Sequence, residues 1–216
     1  MIHIFIGTKA QLIKMAPIMQ VLKSRNIKYN FIFSGQHQET INELLENFKL
    51  DPPDFTLYSG QDVTSPFQAV LWGVKSIIHA FKHRDELWQG DRRGIVLNHG
   101  DTFSTLLGSL LAKFHGHKRA HVESGLRSHN FCHPFPEELI RVLVFKLSNI
   151  YYCPGKWAIN NLKNQQGEKI NTIANTLYDT LHMKQPYEQI DINLPKEPFC
   201  VASLHRFENI FQRKQM

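Results

Sequence analysis

Residues 95–123 read IVLNHGDTFSTLLGSLLAKFHGHKRAHVE, and their pattern indicates the fold class. Its apolar run over 95–98 predicts a strand, and apolar residues at helical spacing predict a helix over 102–115. A second short run over 119–122 predicts another strand. A helix between two strands at this spacing is typical of a βαβ unit, whose two strands lie parallel in one sheet.

The same alternation continues on both sides of this unit. Further strands are predicted over 2–6, 29–33, 150–153 and 199–203. Further helices are predicted over 12–22, 40–48, 67–87, 137–147 and 156–164, and a loop is predicted over 50–65. Thr40 and Glu43 have the spacing of a capping box. We therefore predict an α/β protein with a doubly wound parallel sheet of the Rossmann-like kind.

The composition changes towards the end of the chain. Residues 165–167 and 185–198 are polar, and the second stretch contains three prolines. We predict a Rossmann-like domain over 1–168, a connector over 169–198 and the truncated start of a second domain over 199–216. A strand with a short polar tail cannot bury a core, so we expect either a fragment or another subunit that supplies the rest.

Composition and charge limit the partners. Of the 216 residues, 42% are hydrophobic and 20% are charged, so the chain can bury a core and is not disordered. A net charge of +6 suits a polyanionic partner, whether nucleic acid, a phosphate ester or an acidic membrane. The basic residues are scattered and form no patch interleaved with aromatic residues, which argues against nucleic acid.

The sequence also limits the compartment. It contains no apolar stretch long enough for a membrane span or for the core of a signal peptide. The three cysteines, Cys132, Cys153 and Cys200, include no CxxC pair, which fits a reducing compartment. We therefore expect a soluble, cytoplasmic protein without a membrane partner.

Polar side chains follow the ends of four predicted strands. The four segments are Gly7-Thr8-Lys9, Gly35-Gln36-His37, His99-Gly100-Asp101-Thr102 and Glu123-Ser124-Gly125-Leu126-Arg127. In open α/β sheets, ligands bind at the carboxyl ends of the strands, near helix N-termini that attract anions. The sequence therefore predicts a crevice lined by carboxylates, a lysine, an arginine and several histidines.

The first of these segments matches neither GxGxxG nor the Walker A motif. The sequence therefore contains no motif there that indicates dinucleotide binding or ATP hydrolysis. Gly7 can still allow a close backbone approach, and Lys9 or Lys14 can meet a phosphate as a point charge. The alternative is that Gly7 only makes a turn and that Lys14 is a solvated helix lysine.

Each acidic candidate has a structural alternative. Asp101 is either a general base or the N-cap of the helix that follows it. Glu123 is either a site residue or the partner of Arg127. Glu137 either acts in a site or stabilises the first turn of its helix, with Arg141 four residues on.

A metal site is also considered and not expected. Five histidines and Cys132 cluster in sequence, but their spacings match no structural zinc pattern. The histidines are His115, His117, His121, His129 and His133. His205 and Arg206 follow the last predicted strand, in the same topological position of the second domain, and on their own would be an exposed polar pair.

The order of motifs is more specific than any one of them. GTKAQLIKMAP, SGQHQET, HGDTFST, HVESGLRS, HPFPEELIR, NTLYDTL and SLHRFEN follow one another between residues 2 and 209. In this order they resemble the bacterial non-hydrolysing UDP-N-acetylglucosamine 2-epimerases. The resemblance implies the N-terminal half of a GT-B-type fold, in which two Rossmann-like halves enclose the active site, and family chains are roughly twice as long.

The resemblance also implies a reaction. UDP-GlcNAc and UDP-ManNAc would be interconverted by elimination and re-addition of UDP through a 2-acetamidoglucal, for surface polysaccharide precursors, with neither metal nor nicotinamide. It implies catalytic roles for Lys14, Asp101, Glu123, Glu137 and His205. It implies substrate-binding roles for Gly7, Lys9, Gln36, His37, Arg127 and Arg206. A UDP-sugar is thus the expected ligand, no cofactor is expected, and a homodimer is left open.

The sequence departs from the family pattern in places. Lys9 and Gln11 stand where the family has arginine and glutamate, and Ile140 stands where it has asparagine. Replacing arginine with lysine removes a bidentate grip on phosphate, so substrate choice or affinity can differ. The alternative is a nucleotide-sugar-binding or assembly module without chemistry. We expect no turnover from these 216 residues alone.

Overall fold

The structure is a computed structural model that describes residues 1–37, 40–63, 65–183 and 197–200. His205, Arg206 and most of the strand predicted over 199–203 lie outside these residues. Residues 1–185 form one compact unit, and residues 186–216 form a separate unit.

Seven strands and eight helices lie within the described residues. The strands are β1 (Ile2–Ile6), β2 (Tyr29–Phe33), β3 (Phe55–Thr56), β4 (Ile95–His99), β5 (Lys118–Val122), β6 (Ile150–Cys153) and β7 (Glu168–Asn171). The helices are α1 (Lys9–Ser24), α2 (Ile41–Asn47), α3 (Pro66–Lys82), α4 (Arg84–Leu87), α5 (Phe103–Phe114), α6 (Glu137–Leu147), α7 (Lys156–Asn161) and α8 (Thr176–His182).

All strand pairs in the sheet are parallel. The order is β3-β2-β1-β4-β5-β6-β7, with Ile4 opposite Leu97 and Asn98 opposite His121. The chain moves outward from β1 in one direction and from β4 in the other, so the order reverses between these two strands. This confirms the predicted doubly wound α/β fold, and such a reversal opens a ligand crevice at the carboxyl ends of the strands.

Both faces of the sheet are buried, because side chains alternate along each strand. Ile4 and Ile6 pack with α1 and α2 in one apolar cluster that includes Met15. Phe5 points to the opposite face, where it packs with Trp72 of α3 and with residues of α5. The continuous apolar run of β1 is therefore explained by burial on two sides.

In the first half of the chain, three details of the secondary structure differ from the prediction. Thr40 has a left-handed backbone (φ 63°) and its side chain makes no capping bond, because a capping box needs an extended N-cap residue. The helix predicted over 67–87 is broken into α3 and α4 at His83, which leaves the helical conformation. The predicted loop over 50–65 contains the short strand β3.

The first part of the predicted connector belongs to the first unit. β7 pairs with β6, and α8 packs on α1, where the Thr180 hydroxyl donates to the Ile13 carbonyl at 2.8 Å. The polar sequence of this stretch does not reveal these elements, because β7 lies at the sheet edge and neither element carries a long apolar run. In the described part of the chain, no helix has the length and apolarity needed to cross a bilayer.

Candidate active site at the carboxyl edge of the sheet

A cleft of about 120 Å³ lies where the loops after β4 and β5 meet α1 and α6. Its lining comprises Lys14, Gly100, Asp101, His121, Glu123, Leu126 and Arg141. The structure thus brings together three residues that the sequence predicted, namely Lys14, Asp101 and Glu123. They come from three separate segments, as expected for the carboxyl edge of a parallel sheet.

Glu123 is bound by a lysine, and the alternative pairing with Arg127 is wrong. The Lys14 ammonium donates to both carboxylate oxygens of Glu123, at 2.9 and 2.8 Å. The Asn175 amide also donates to this carboxylate, and His99 Nε2 lies 3.2 Å from it. The carboxylate is 8% exposed, so its charge is neutralised inside a nearly closed pocket.

The backbone that presents Glu123 is unusual. Glu123 has φ 60°, in the left-handed region, which costs a non-glycine residue roughly 1 kcal/mol or more. Gly125 has φ 86°, and a Cβ there would come within 2.2 Å of the Ala158 carbonyl oxygen. Glycine is therefore required at 125, because the turn packs directly on α7. Strain of this kind is common where a side chain is aimed for function.

Two buried histidines support the cleft in the neutral form. Burial lowers the pKa of His99 to about 3, assisted by the nearby Lys14, and burial lowers the pKa of His121 to about 4. The contact of His99 with Glu123 is therefore no ion pair. His121 donates from Nε2 to the Gly100 carbonyl at 2.7 Å, and its Nδ1 accepts from the Ser124 hydroxyl at 2.9 Å. It thereby ties the loop after β5 to the loop after β4.

Asp101 has an arginine partner. Arg141 places Nε 2.8 Å and Nη2 2.6 Å from Asp101 Oδ2. The alternative role of Asp101 as an N-cap is wrong, since Thr102 caps α5 by accepting from the Thr105 amide at 3.2 Å. The pairing of Glu137 with Arg141 is also not found, because Arg141 turns to Asp101 and Glu138 instead.

Glu138 is hydrogen-bonded to both arginines of this region, Arg127 and Arg141. It accepts from Arg127 Nε at 2.5 Å and lies 3.4 Å from Arg141 Nη1. Burial pushes the pKa of Glu138 upward, but the hydrogen bonds from Arg127 and from the Ser128 amide outweigh it, so this pKa lies below its ordinary value. Glu138 is therefore a buried anion.

Glu137 occupies a different position from the other two predicted carboxylates. It begins α6, and it is not among the residues that line the cleft. Its Oε2 atom is buried, and among the described residues it has no hydrogen-bond partner. Of the acidic trio that the sequence predicted, the structure therefore brings Asp101 and Glu123 to one cleft, and Glu137 is not part of its lining.

The predicted substrate-binding residues of the first two loops hold those loops together. A Cβ on Gly7 would come within 2.2 Å of the hydroxyl oxygens of Ser34 and Ser104, so glycine is needed here for packing. Gln36 accepts from the Ser104 amide at 2.9 Å, and the His37 amide donates to the Gly7 carbonyl at 2.9 Å. The functional roles of these residues stay predictions.

Lys9 and Arg127 are the remaining predicted site residues that the structure describes. Lys9 is the first residue of α1, half-buried, and makes no ion pair within the part of the chain that the structure describes. Arg127 is held by Glu138 at the start of the loop that leads to α6. His205 and Arg206 lie outside the described residues, so their placement stays a prediction.

Gln11 holds the loops that carry predicted site residues, although the sequence indicated it only as a departure from the family pattern. Its Oε1 accepts from the Gly7 and Thr8 amides, at 2.9 and 3.2 Å. Its Nε2 donates to the His99 carbonyl at 2.7 Å and to the Thr105 hydroxyl at 2.9 Å. Gln11 thus links the loops after β1 and β4. The signal was available, because Thr8 and Gln11 have capping-box spacing, and the structure forms that box.

One cluster has the composition of a metal site. Single ligand atoms of His3, Asp91 and His117 lie within 4.8 Å of one another, at the edge of the sheet opposite the cleft. However, the Gly94 amide donates to His117 Nδ1 at 3.1 Å, and the Asn30 amide donates to His3 Nδ1 at 2.9 Å. Both neutral imidazoles therefore carry their proton on Nε2 and have no lone pair there for a metal.

The family model for UDP-N-acetylglucosamine 2-epimerase matches residues 20–216. The chain belongs to the UDP-N-acetylglucosamine 2-epimerase family. This confirms the resemblance drawn from the seven ordered motifs.

Named relatives and solved structures agree with this membership. The chain is 34% identical over 188 residues to the UDP-N-acetylglucosamine 2-epimerase of Campylobacter jejuni, covering 83% of this chain and 46% of the relative. It is 31% identical over 210 residues to that of Bacillus subtilis strain 168, covering 94% and 53%. The crystal structure of the Neisseria meningitidis enzyme bound to UDP-GlcNAc matches with a TM-score of 0.71 and 29% identity, covering 84% of this chain and 48% of that one. The chain spans about half the length of the curated relatives it matches.

Proposed function

We propose that this chain supplies the N-terminal half of a cytoplasmic, non-hydrolysing UDP-N-acetylglucosamine 2-epimerase, which makes UDP-ManNAc for surface polysaccharide. The observation that carries the proposal is the cleft in which Asp101 and Glu123 each hold a cation of their own, Arg141 and Lys14. Two carboxylates and two cations in one pocket suit a negatively charged sugar nucleotide whose ring carbon must exchange a proton.

The chemistry explains why such a set is needed. The C2–H bond of the sugar is a poor acid because no carbonyl lies next to C2. Departure of UDP must therefore assist: a base takes the C2 proton, the C–H electron pair becomes the C1–C2 double bond, and the C1–O pair leaves with UDP. Re-addition of UDP with protonation on the other face gives UDP-ManNAc, so acid–base groups are required on both faces.

Roles for the residues follow from their positions. Asp101 and Glu123 serve as the acid–base pair, and Glu137 is the third carboxylate assigned to catalysis. Lys14 and Arg141 offset the negative charge of the leaving diphosphate. Lys9 and Gln36 act at the rim of the nucleotide site, with Gly7 and His37. His205 and Arg206, which lie outside the described residues, keep their predicted catalytic and substrate-binding roles.

A second, independent part of the proposal concerns assembly. The outer face of α3 consists of seven large apolar side chains, which are between 37% and 73% exposed. They are Phe67, Val70, Leu71, Val74, Ile77, Ile78 and Phe81, and they recur every three or four residues. The inner face of the same helix is buried through Ala69, Trp72, Ser76 and Ala80.

We infer that this outer face pairs with the same face of a second copy. A stripe of this spacing on one helix is self-complementary about a two-fold axis, as in isologous dimers. An exposed apolar surface of this extent on a stable protein normally has a partner.

Activity is tested by fusing residues 1–183 of this chain to the second half of the Bacillus subtilis relative. The expected result is interconversion of UDP-GlcNAc and UDP-ManNAc, with a loss of about 100-fold or more in kcat for Asp101→Asn and for Glu123→Gln. The exposed Asp85→Asn is the matched control and should retain full activity. A folded fusion that binds UDP-GlcNAc, with turnover unchanged by both site variants, would contradict an enzymatic role and favour a binding module.

A further inference from the structure

Glu138 has an environment that the proposed reaction does not explain. Its side chain is fully buried at the start of α6, and it does not line the cleft. It accepts from the Arg127 guanidinium at 2.5 Å and from the Ser128 and His129 amides at 3.1 and 3.2 Å. A buried carboxylate is costly unless it is paired and hydrogen-bonded, and Glu138 is both.

Glu138 also contacts Arg141 through a nitrogen that does not face Asp101. The two residues lie three apart on α6, hence on the same face, and Arg141 Nη1 is 3.4 Å from Glu138 Oε2. The other edge of the guanidinium, Nε and Nη2, faces Asp101 Oδ2. Because a guanidinium is planar and rigid, holding one edge fixes the direction of the other.

The same carboxylate also holds the loop that follows Glu123 and Leu126, two residues of the cleft lining. Arg127, Ser128 and His129 follow directly on the turn that carries Glu123 and Leu126. By accepting from all three, Glu138 holds this loop against α6. One buried anion is therefore bonded both to the loop after Glu123 and to the arginine that orients Asp101.

We propose that Glu138 is a positioning residue, which sets the Asp101 and Glu123 sides of the cleft relative to each other without touching substrate. The proposal rests on the proposed function for its consequence in catalysis, but its structural claim can be tested without any ligand. It predicts that the guanidinium groups of Arg127 and Arg141 cannot rotate freely in the protein without ligand. It also predicts that removing the charge of Glu138 releases Arg141 from Asp101.

The test uses side-chain NMR of the 216-residue chain. Restricted rotation gives resolved Nη signals for Arg127 and Arg141, which are assigned with Arg127→Lys and Arg141→Lys. In Glu138→Gln, we expect the Arg141 signals to average and the Asp101 Cγ signal to move. A merely stabilising role would lower the unfolding midpoint and leave both signals in place. The exposed pair of Asp85 with Arg92 gives the control, Asp85→Asn, which should change neither signal.

A second measurement covers the case in which Glu138→Gln does not fold. The wild-type spectrum alone tests the first claim, since averaged Arg141 signals in the wild type overturn it. Glu138→Asp keeps the charge on a shorter side chain and should retain restricted Arg141 rotation, whereas free rotation in this variant also counts against the proposal. Failure of the fusion to turn over UDP-GlcNAc would refute the proposed function and leave these NMR results unaffected.

Discussion

The ammonium of Lys14 lies 2.8 and 2.9 Å from the two carboxylate oxygens of Glu123, across a sequence separation of 109 residues. Lys14 is in the middle of α1 and Glu123 follows β5, so the pair exists only when β1, β4 and β5 are assembled in the sheet. The Lys14–Glu123 contact therefore forms only in the folded protein.

Removing this cation should destabilise the protein. In Lys14→Met, the 8% exposed Glu123 carboxylate loses its ammonium partner, and we expect a loss of roughly 2–3 kcal/mol in unfolding free energy. Urea unfolding measures it. Lys14→Met combined with Glu123→Gln should recover part of the loss, since no buried charge is then unpaired. Strictly additive single and double variants would show that the pair contributes nothing.

Gln11→Glu should be destabilising even though the family has glutamate at this position. A carboxylate can still accept from the Gly7 and Thr8 amides, but it cannot donate to the His99 carbonyl, which lies 2.7 Å from Nε2. Leaving that buried carbonyl facing an anion costs roughly 1–3 kcal/mol, measured as a lower urea midpoint. The exposed Gln166→Glu is the matched control and should leave the midpoint within error.

Stability should fall on acidification below pH 6.5. Burial lowers the folded-state pKa of His117 and of His121 to about 4, and that of His99 to about 3, from an ordinary value of 6.5. The unfolded chain therefore binds these protons first. Each histidine contributes stability that is present above pH 6.5 and is lost as the pH falls towards its folded pKa, by about 1.4 kcal/mol per pH unit.

Unfolding in urea at pH 7.5, 6 and 5 measures this dependence. His117→Asn, whose amide oxygen can replace Nδ1 as the acceptor for the Gly94 amide, should reduce the slope by about one proton. The exposed His129→Gln serves as control and should not alter it. A pH-independent free energy of unfolding between pH 7.5 and 5 would rule out the neutral, buried histidines.

The outer face of α3 should decide the oligomeric state. Sedimentation of the chain is expected to give a dimer, and Val74→Glu should convert it to a monomer by placing a charge in the centre of the apolar stripe. Lys75→Glu, one residue away on the same helix but outside the stripe, should remain dimeric. A wild-type chain that stays monomeric at all concentrations would refute the pairing.

Much of this arrangement could be predicted without coordinates. The alternating runs around residues 95–123 predicted the parallel sheet, and the carboxyl-edge rule placed Asp101 and Glu123 together. The family resemblance added Lys14 to them. Pairing within the site could not be predicted in this way. Local spacing favoured Glu123 with Arg127 and Glu137 with Arg141, whereas the folded chain joins Glu123 to Lys14 and Arg141 to Asp101.

Periodicity and motif order are local properties of the chain, and they were sufficient to predict most of the strands and helices, the edge at which the polar loops meet and the family. Contacts between distant segments could not be predicted in this way. They include the pairing of cations with carboxylates, the hydrogen bonds by which Gln11 and Glu138 hold the loops of the cleft, and the addition of β7 and α8 to the first unit. The physical reason is that a charged side chain pairs with whatever lies within about 4 Å of it in space, and sheet assembly brings residues a hundred positions apart to that distance.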